Sequence, residues 1–266
     1  MAFTIDKIRR ITAYAAAERA AAENHGVAIA KDDILYTIKD VSGFSISNSA
    51  ETVDAVDGLG NVIETYLRSK TAEMSGENAI FDMPLAATMS GTKVQKGSVD
   101  INFHDVISVA KDAKVATLSK TPKVAPTVVY VVNGDGTLGE ALTVGAGEDD
   151  DVAVSSNKLT FKVSPATKDA VNVFVPYVYT EESAMKFENF ADAATIPSRV
   201  VVEGLGRDVC SHNQVYFYIT AGYAELAYDN EFGFDTEGSY SFTINCKKPY
   251  CSDDGLYSVI VVGADA

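Results

Sequence analysis

The order of apolar and polar positions divides the chain into a short N-terminal stretch and a long remainder that follows a different rule. In residues 4–24, Ile5, Ile8, Ile11 and Ala15 recur three or four apart, alanines fill the spaces and Asp6 falls in the first turn. This spacing predicts a helix. Gly26 follows where a left-handed C-terminal cap is expected. Beyond it the period drops to two. "GVAIAKDDILYTIKD" and "SGFSISNSAETVDAVD" alternate as strands with one buried face do, "DGLGN" (57–61) reads as a turn, and "VIETYLRSKTAEMSG" alternates again. One interruption is helical. In "NAIFDMPLAATMSG", Phe81, Leu85 and Met89 share a face and Gly91 ends the run. Pro84 is tolerated only in a first turn, so that helix starts near Asp82.

The strand rule then resumes at "KVQKGSVDINFHDVISVA", and "KTPKVAPT" (120–127), with two prolines, reads as a connection. "TVVYVVNGDGTLGEALTV" predicts a hairpin turning at Asn133–Gly136. Six more Tyr- and Val-rich stretches follow, from "KLTFKV" to "LYSVIVVGA". Short strands at regular spacing predict a mainly β protein, an antiparallel sandwich or barrel flanked by one short helix and the N-terminal helix. One domain over residues 1–266 is expected, with a possible hairpin insertion at 121–165.

Composition narrows the function. The formal charge of −15 comes from 22 basic against 37 acidic residues. Nucleic-acid affinity rests on Lys and Arg displacing counterions from phosphates, so a nucleic-acid-gripping surface is not expected. The longest apolar runs, "TVVYVV" and "YSVIVVGA", are far short of the roughly 20 residues that cross a bilayer, and the N-terminus carries charges where a signal peptide is apolar. Three cysteines, an odd number, do not make a disulfide framework.

Cys210, His212, Cys246 and Cys251 offer a zinc-like donor set, but Cys246-x4-Cys251 is too long for a zinc knuckle and Cys210-x-His212 too short. Packing is the better reading, with Cys210 and Cys246 as small buried strand residues and Cys251 in a turn. His25 is expected at a helix end, and His104 on the polar face of a strand beside Asn102 with no nucleophile context. "NGDGTLGE" lacks the glycine and glutamate positions of a calcium loop, and "GEDDD" (147–151) reads as a solvated loop. "VEGLGRD" (202–208) has a G-x-G with no third glycine and no following helix. No catalytic residue, cofactor site or metal site is expected, and the chain is not read as an enzyme.

Two blocks carry a resemblance. "VSGFSISNSAETVDAVDGLGNVIETYLRSKTAEMSGENAIFDMPLAATMSGT" (41–92) and "VPYVYTEESAMKFENFADAATIPSRVVVEGLG" resemble the tail tube, or major tail, proteins of tailed bacteriophages, in strand texture and in the short helix followed by an "SGT"-like turn at Ser90–Thr92. The resemblance implies a structural virion protein made in the host bacterial cytoplasm. It would assemble into hexameric rings stacked into the tail tube, through which genomic DNA is ejected without specific binding. Tape measure, tail terminator and baseplate proteins are the implied partners, with no membrane and no cofactor. Acidity fits such a lumen, since like charge repels phosphate. The stretch Ser47–Asn61 reads as an extended loop laid on a neighbour, with Ser47, Asn48, Glu51, Thr52, Asp54, Asp57 and Asn61 as contact residues, and the N-terminal helix as a second contact. Two other classes stay open. One is a β-sandwich virion decoration or carbohydrate-binding adhesion module, suggested by "QVYFYITAGYAELAY". The other is a β-sandwich hydrolase using a metal with His104 or His212.

Overall fold

The N-terminal stretch is a strand, not the helix that its spacing predicts. In the computed structural model, which describes residues 2–21, 24–39, 41–145, 147, 150–229, 239–249 and 255–262, β1 spans Phe3–Ala15 and pairs antiparallel with β12 (Ser198–Asp208) and β2 (Ile34–Lys39). The physical reason lies in its register. Shifts fall between Ile5 and Lys7 and again between Ile8 and Arg10. Each inserts one residue into a period-two pattern and so puts Ile5, Ile8 and Ile11 three apart. Beyond the second shift the strand period is plain, with Ile11, Ala13 and Ala15 all fully buried. Gly26 does adopt a positive φ of 85°, and its N–H donates to the Ala21 carbonyl. The contact expected of an N-terminal helix therefore has no helix to make it.

The protein is mainly β, with antiparallel sheets and a single short helix among the described residues. The remaining strands are β3 (Val41–Val56), β4 (Val62–Asn78), β5 (Gln95–Val109), β6 (Val115–Thr117), β7 (Val128–Val132), β8 (Leu138–Thr143), β9 (Val152–Ser155), β10 (Lys158–Phe161), β11 (Val171–Lys186), β13 (Gln214–Leu226), β14 (Tyr240–Cys246) and β15 (Ser258–Val262). Helix α1, Met83–Met89, starts where the sequence places it. The Asp82 carboxylate accepts from the Leu85 N–H at 2.8 Å, Pro84 sits in the first turn, and Leu85 and Met89 are buried. Gly91 ends the turn at φ 71°, and a Cβ there would lie 2.5 Å from the Ala194 carbonyl oxygen.

The chain forms two compact units. The first, residues 1–95 and 187–266, holds α1 and a sheet ordered β2-β1-β12-β13-β14-β4-β3, with β15 also on β13. Its core gathers Ile11, Ile38, Met74, Leu85, Val202, Phe217, Phe242 and Ile244. Here the G-x-G of β12 finds its use. A Cβ on Gly204 would lie 2.0 Å from the Phe217 ring and one on Gly206 would lie 2.5 Å from the Thr4 carbonyl oxygen, so these glycines admit a ring and a neighbouring strand.

The second unit, residues 96–186, contains the stretch 121–165 that reads as an insertion. A four-stranded sheet, β5-β11-β7-β8, and a three-stranded sheet, β6-β10-β9, share a core of Val109, Leu118, Val129, Leu159, Phe161 and Val173. The β7–β8 hairpin turns as expected, with Asn133 N–H donating to Thr137 O and Gly136 at φ 84°.

Candidate assembly surface

The site is built on the longest hairpin. β3 and β4 pair from Val41 opposite Asn78 to Val56 opposite Val62, with register shifts between Ser42 and Ser45, Glu51 and Thr52, and Ala55 and Val56. Near the sheet β4 also pairs with β14, from Asn78 opposite Tyr240 to Ala72 opposite Cys246. From there to the tip β4 pairs only with β3 among the described residues, so the outer half is a two-stranded arm. Ladder pairs and polar links hold it. The Thr65 hydroxyl donates to Asp54 at 2.7 Å, Arg68 reaches Glu51 at 3.2 Å, and the Ser69 hydroxyl donates to Glu51.

The tip is ordered by one carboxylate. Asp57 accepts from the Leu59 and Asn61 N–H groups at 2.9 and 2.8 Å and from the Asn61 side-chain amide at 3.0 Å. The Asn61 amide, together with these backbone donors, holds the Asp57 carboxyl below the usual carboxylate range. Gly60, at φ 88°, supplies the left-handed position that the turn requires.

What the arm presents is apolar. Val53, Val56, Leu59, Val62, Ile63, Tyr66 and Leu67 are between 48% and 90% exposed, Leu59 the most. Directly opposed residues share a face, and successive pairs alternate faces. Val53 opposite Tyr66 and the adjacent pair, Thr52 opposite Leu67, thus put apolar side chains on both sides of the ribbon. A concentration of exposed apolar groups on one projecting element marks a surface made for contact.

The residues expected to make contacts lie on this element, though not in a loop. Ser47, Asn48, Glu51, Thr52 and Asp54 belong to β3, and only Asp57 and Asn61 occupy the turn. The Asn48 side-chain amide donates to the Tyr257 hydroxyl at 3.0 Å. The seven apolar side chains were missed, although adjacent apolar pairs in "VIETYL", Val62–Ile63 and Tyr66–Leu67, break the one-faced alternation and signal a strand apolar on both sides.

The other candidates are dispersed. Cys246 is buried in β14, where burial pushes its thiol up to about 11. Cys210 is not the buried strand residue expected. It lies exposed in the turn after β12, where its N–H and that of Ser211 donate to Asp208. Cys251 lies outside the described residues, and among those described no cluster of three or more His, Cys, Asp or Glu has a metal-binding arrangement. His25 stacks on Phe190 at 3.8 Å and faces Asp192 at 3.2 Å. His104 stacks on Phe174 at 4.9 Å. Its neighbour Asp105 accepts from the Ser119 N–H and hydroxyl and from the Tyr177 hydroxyl; burial works to raise this carboxyl, and these bonds outweigh it and leave it lowered. No helix among the described residues is long and apolar enough to cross a membrane.

The site is a mainly antiparallel β fold with a hairpin arm that exposes apolar side chains on both faces. The chain belongs to the YomU/Tube protein family, whose model matches residues 26–254. This membership agrees with the resemblance to phage tail tube proteins. Compared with curated proteins, the chain matches none.

Proposed function

We propose that this chain is a structural subunit of a phage tail tube, located in the virion tail, that self-assembles through its β3–β4 arm into stacked rings around a passage for DNA. Six copies per ring is the stoichiometry that the resemblance implies, and tape measure, terminator and baseplate proteins are the partners expected at the ends of such a tube. The observation that carries the reading is the arm. It exposes apolar side chains on both faces and finds nothing among the described residues to cover them, a cost in water that a neighbouring copy would remove. The family membership and the net charge of −15 support the same reading, since an acidic wall repels phosphate and lets DNA slide. The role proposed is structural rather than catalytic, and each histidine is accounted for by a stack or a turn.

Negative-stain electron microscopy of the purified protein, with its mass in solution followed against concentration, tests this. Rings or hollow tubes are expected. A monodisperse monomer at every concentration would overturn the reading.

A further inference from the structure

The sheet of the first unit has a second face, and its charge is opposite to that of the chain. On β12, Val202 turns its side chain into the core, so Glu203, Leu205 and Arg207, at the alternate positions, face the other way. The pairing carries this outer set sideways. Lys39 on β2 stands opposite Arg10 on β1, Arg10 opposite Glu203, and Glu203 opposite Tyr218 on β13. One row on, Lys7 stands opposite Leu205 and Leu205 opposite Tyr216, and beyond it Arg207 lies between Thr4 and Gln214. Arg9 falls in the second register shift of β1, and its guanidinium lies over the Tyr216 ring at 5.8 Å, which puts it on the same face. Lys7, Arg9, Arg10, Lys39 and Arg207 are all exposed. Four residues of β12 and two strand spacings contain them, about 13 Å by about 10 Å. Glu203 is set among them and accepts from the Arg10 guanidinium at 2.6 Å. Arg9, Arg10, Lys39 and Glu203 line an open hollow of about 270 Å³.

We infer that this face binds the phosphodiester backbone of a nucleic acid, one phosphate held in the hollow by Arg9, Arg10 and Lys39 and its neighbours met by Lys7 and Arg207. The inference rests on the proposed passage for DNA as the source of the strand and adds where the chain touches it. Guanidinium groups match phosphate oxygens as planar forks, and Glu203 holds that of Arg10 in place. Around the cations stand hydroxyl and amide side chains, Thr4, Gln214, Tyr216 and Tyr218, the neutral groups that accompany Arg and Lys in backbone contacts. A protein partner suits the face less well, since the centre of a protein interface is apolar and poor in charge. Here the central apolar residue, Leu205, is only 8% exposed, and the cations stand in the open around it. The formal charge of −15 does not oppose this, because it is a sum over the whole chain. Screening limits each exposed charge to about 8 Å at physiological salt, so a strand lying on this face meets the local cluster. A few such contacts in an otherwise acidic passage hold DNA weakly and without regard to sequence.

Fluorescence anisotropy of a labelled DNA duplex, titrated with the full chain from low to physiological salt, tests the assignment. The wild type is expected to bind at low salt, with log affinity falling against log salt at a slope of about −3 to −4, or about −0.9 for each phosphate met. Lys7→Ala/Arg9→Ala/Lys39→Ala should weaken binding at least about tenfold and flatten the slope by about 2 to 3. Lys111→Ala/Lys114→Ala/Lys158→Ala takes the same charge from the second unit and should change neither. All six side chains are exposed, and circular dichroism checks that each variant folds. Inorganic phosphate and polyglutamate, at matched ionic strength, should displace less duplex than unlabelled DNA does. Equal displacement by either would give the site to free phosphate or to any polyanion and overturn the inference. So would a wild type that leaves the duplex free at the lowest salt, or equal losses in the two triple variants. If the first variant instead loses self-association in sedimentation and keeps its DNA affinity, the face joins copies of the chain. Tubes in micrographs beside a failed titration leave the proposed function standing. DNA held by a chain that is monomeric at every concentration removes the tube and leaves this site.

Discussion

Along β4 the half nearest the sheet buries Ala72, Met74 and Asn78 at every second position, and Gly76 between them lies under the Phe242 ring, 2.8 Å from where a Cβ would be. The half nearest the tip, in the same strand but past a register shift between Glu51 and Thr52, leaves Val62, Ile63, Tyr66 and Leu67 in water. Both halves have good ladders. Only one has a core. The contrast separates two uses of apolar residues in one hairpin, since those at the base hold the monomer together and those at the tip contribute nothing until something covers them. A free two-stranded ribbon is marginal in water, so the arm depends on its attachment to the sheet at the base.

The largest effect expected from breaking this contrast is at the base. Met74 is fully buried, and Met74→Ala should cost about 2–5 kcal/mol in chemical denaturation. Leu59→Ala, at a side chain 90% exposed, should stay within about 0.5 kcal/mol. Comparable losses at the two sites would mean that the tip is covered within the monomer. Next comes assembly. Val62→Ser/Leu67→Ser should leave the denaturation midpoint of the dilute monomer unchanged and abolish rings and tubes in electron micrographs. Tubes of normal length from that variant would take the arm out of the interface.

Two tyrosines sharpen the same contrast at smaller scale. Tyr66 is exposed on the arm, while Tyr36 in β2 is fully buried, its hydroxyl without a hydrogen-bond partner among the described residues. Burial raises that phenol well above its ordinary range. An unpartnered buried hydroxyl is a cost, so Tyr36→Phe should leave thermal stability unchanged or raise it by up to about 1 kcal/mol. A loss of more than that would show that the hydroxyl has a partner in solution.

These contrasts also explain what could be read from residues alone. The strands β12, β13 and β14 were legible because one face of each is buried, and Val200, Val202, Phe217, Ile219, Phe242 and Ile244 keep strict alternation. α1 was legible because Asp82 and Pro84 are local signals that no distant contact overrides. β1 was not, since two register shifts turn its period of two into spacings of three, and those shifts are set by the pairing with β12. The outer half of β3 alternates as a strand does and yet also reads as an extended loop, for the opposite reason. With both faces in water nothing among the described residues selects one parity for apolar residues, and small polar side chains dominate Ser47–Asp54. Cys210 and Cys246 look alike in sequence and differ only because β12 ends before one and β14 carries the other into the core.

The smallest effect belongs to the tip itself, and pH reaches it. Asp57 is held below the usual carboxylate range chiefly by the Asn61 side-chain amide, then by the Asn61 and Leu59 N–H groups, with burial opposing weakly. A carboxyl whose folded value lies below its unfolded one stabilises the turn fully at pH above the unfolded value and loses that contribution as pH falls through the folded value. The turn is therefore expected to keep its geometry from neutral pH down to the ordinary carboxylate range and to loosen only below it. The Leu59 and Asn61 amide resonances, followed by nuclear magnetic resonance during an acid titration, should move together with a midpoint below that of a free aspartate. In Asp57→Asn the transition should disappear, because the neutral amide cannot gain or lose the proton. If the two amides instead shift at the ordinary aspartate value, the carboxylate is not bonded in solution as it is here. Leu59 would then have no fixed place from which to meet a partner.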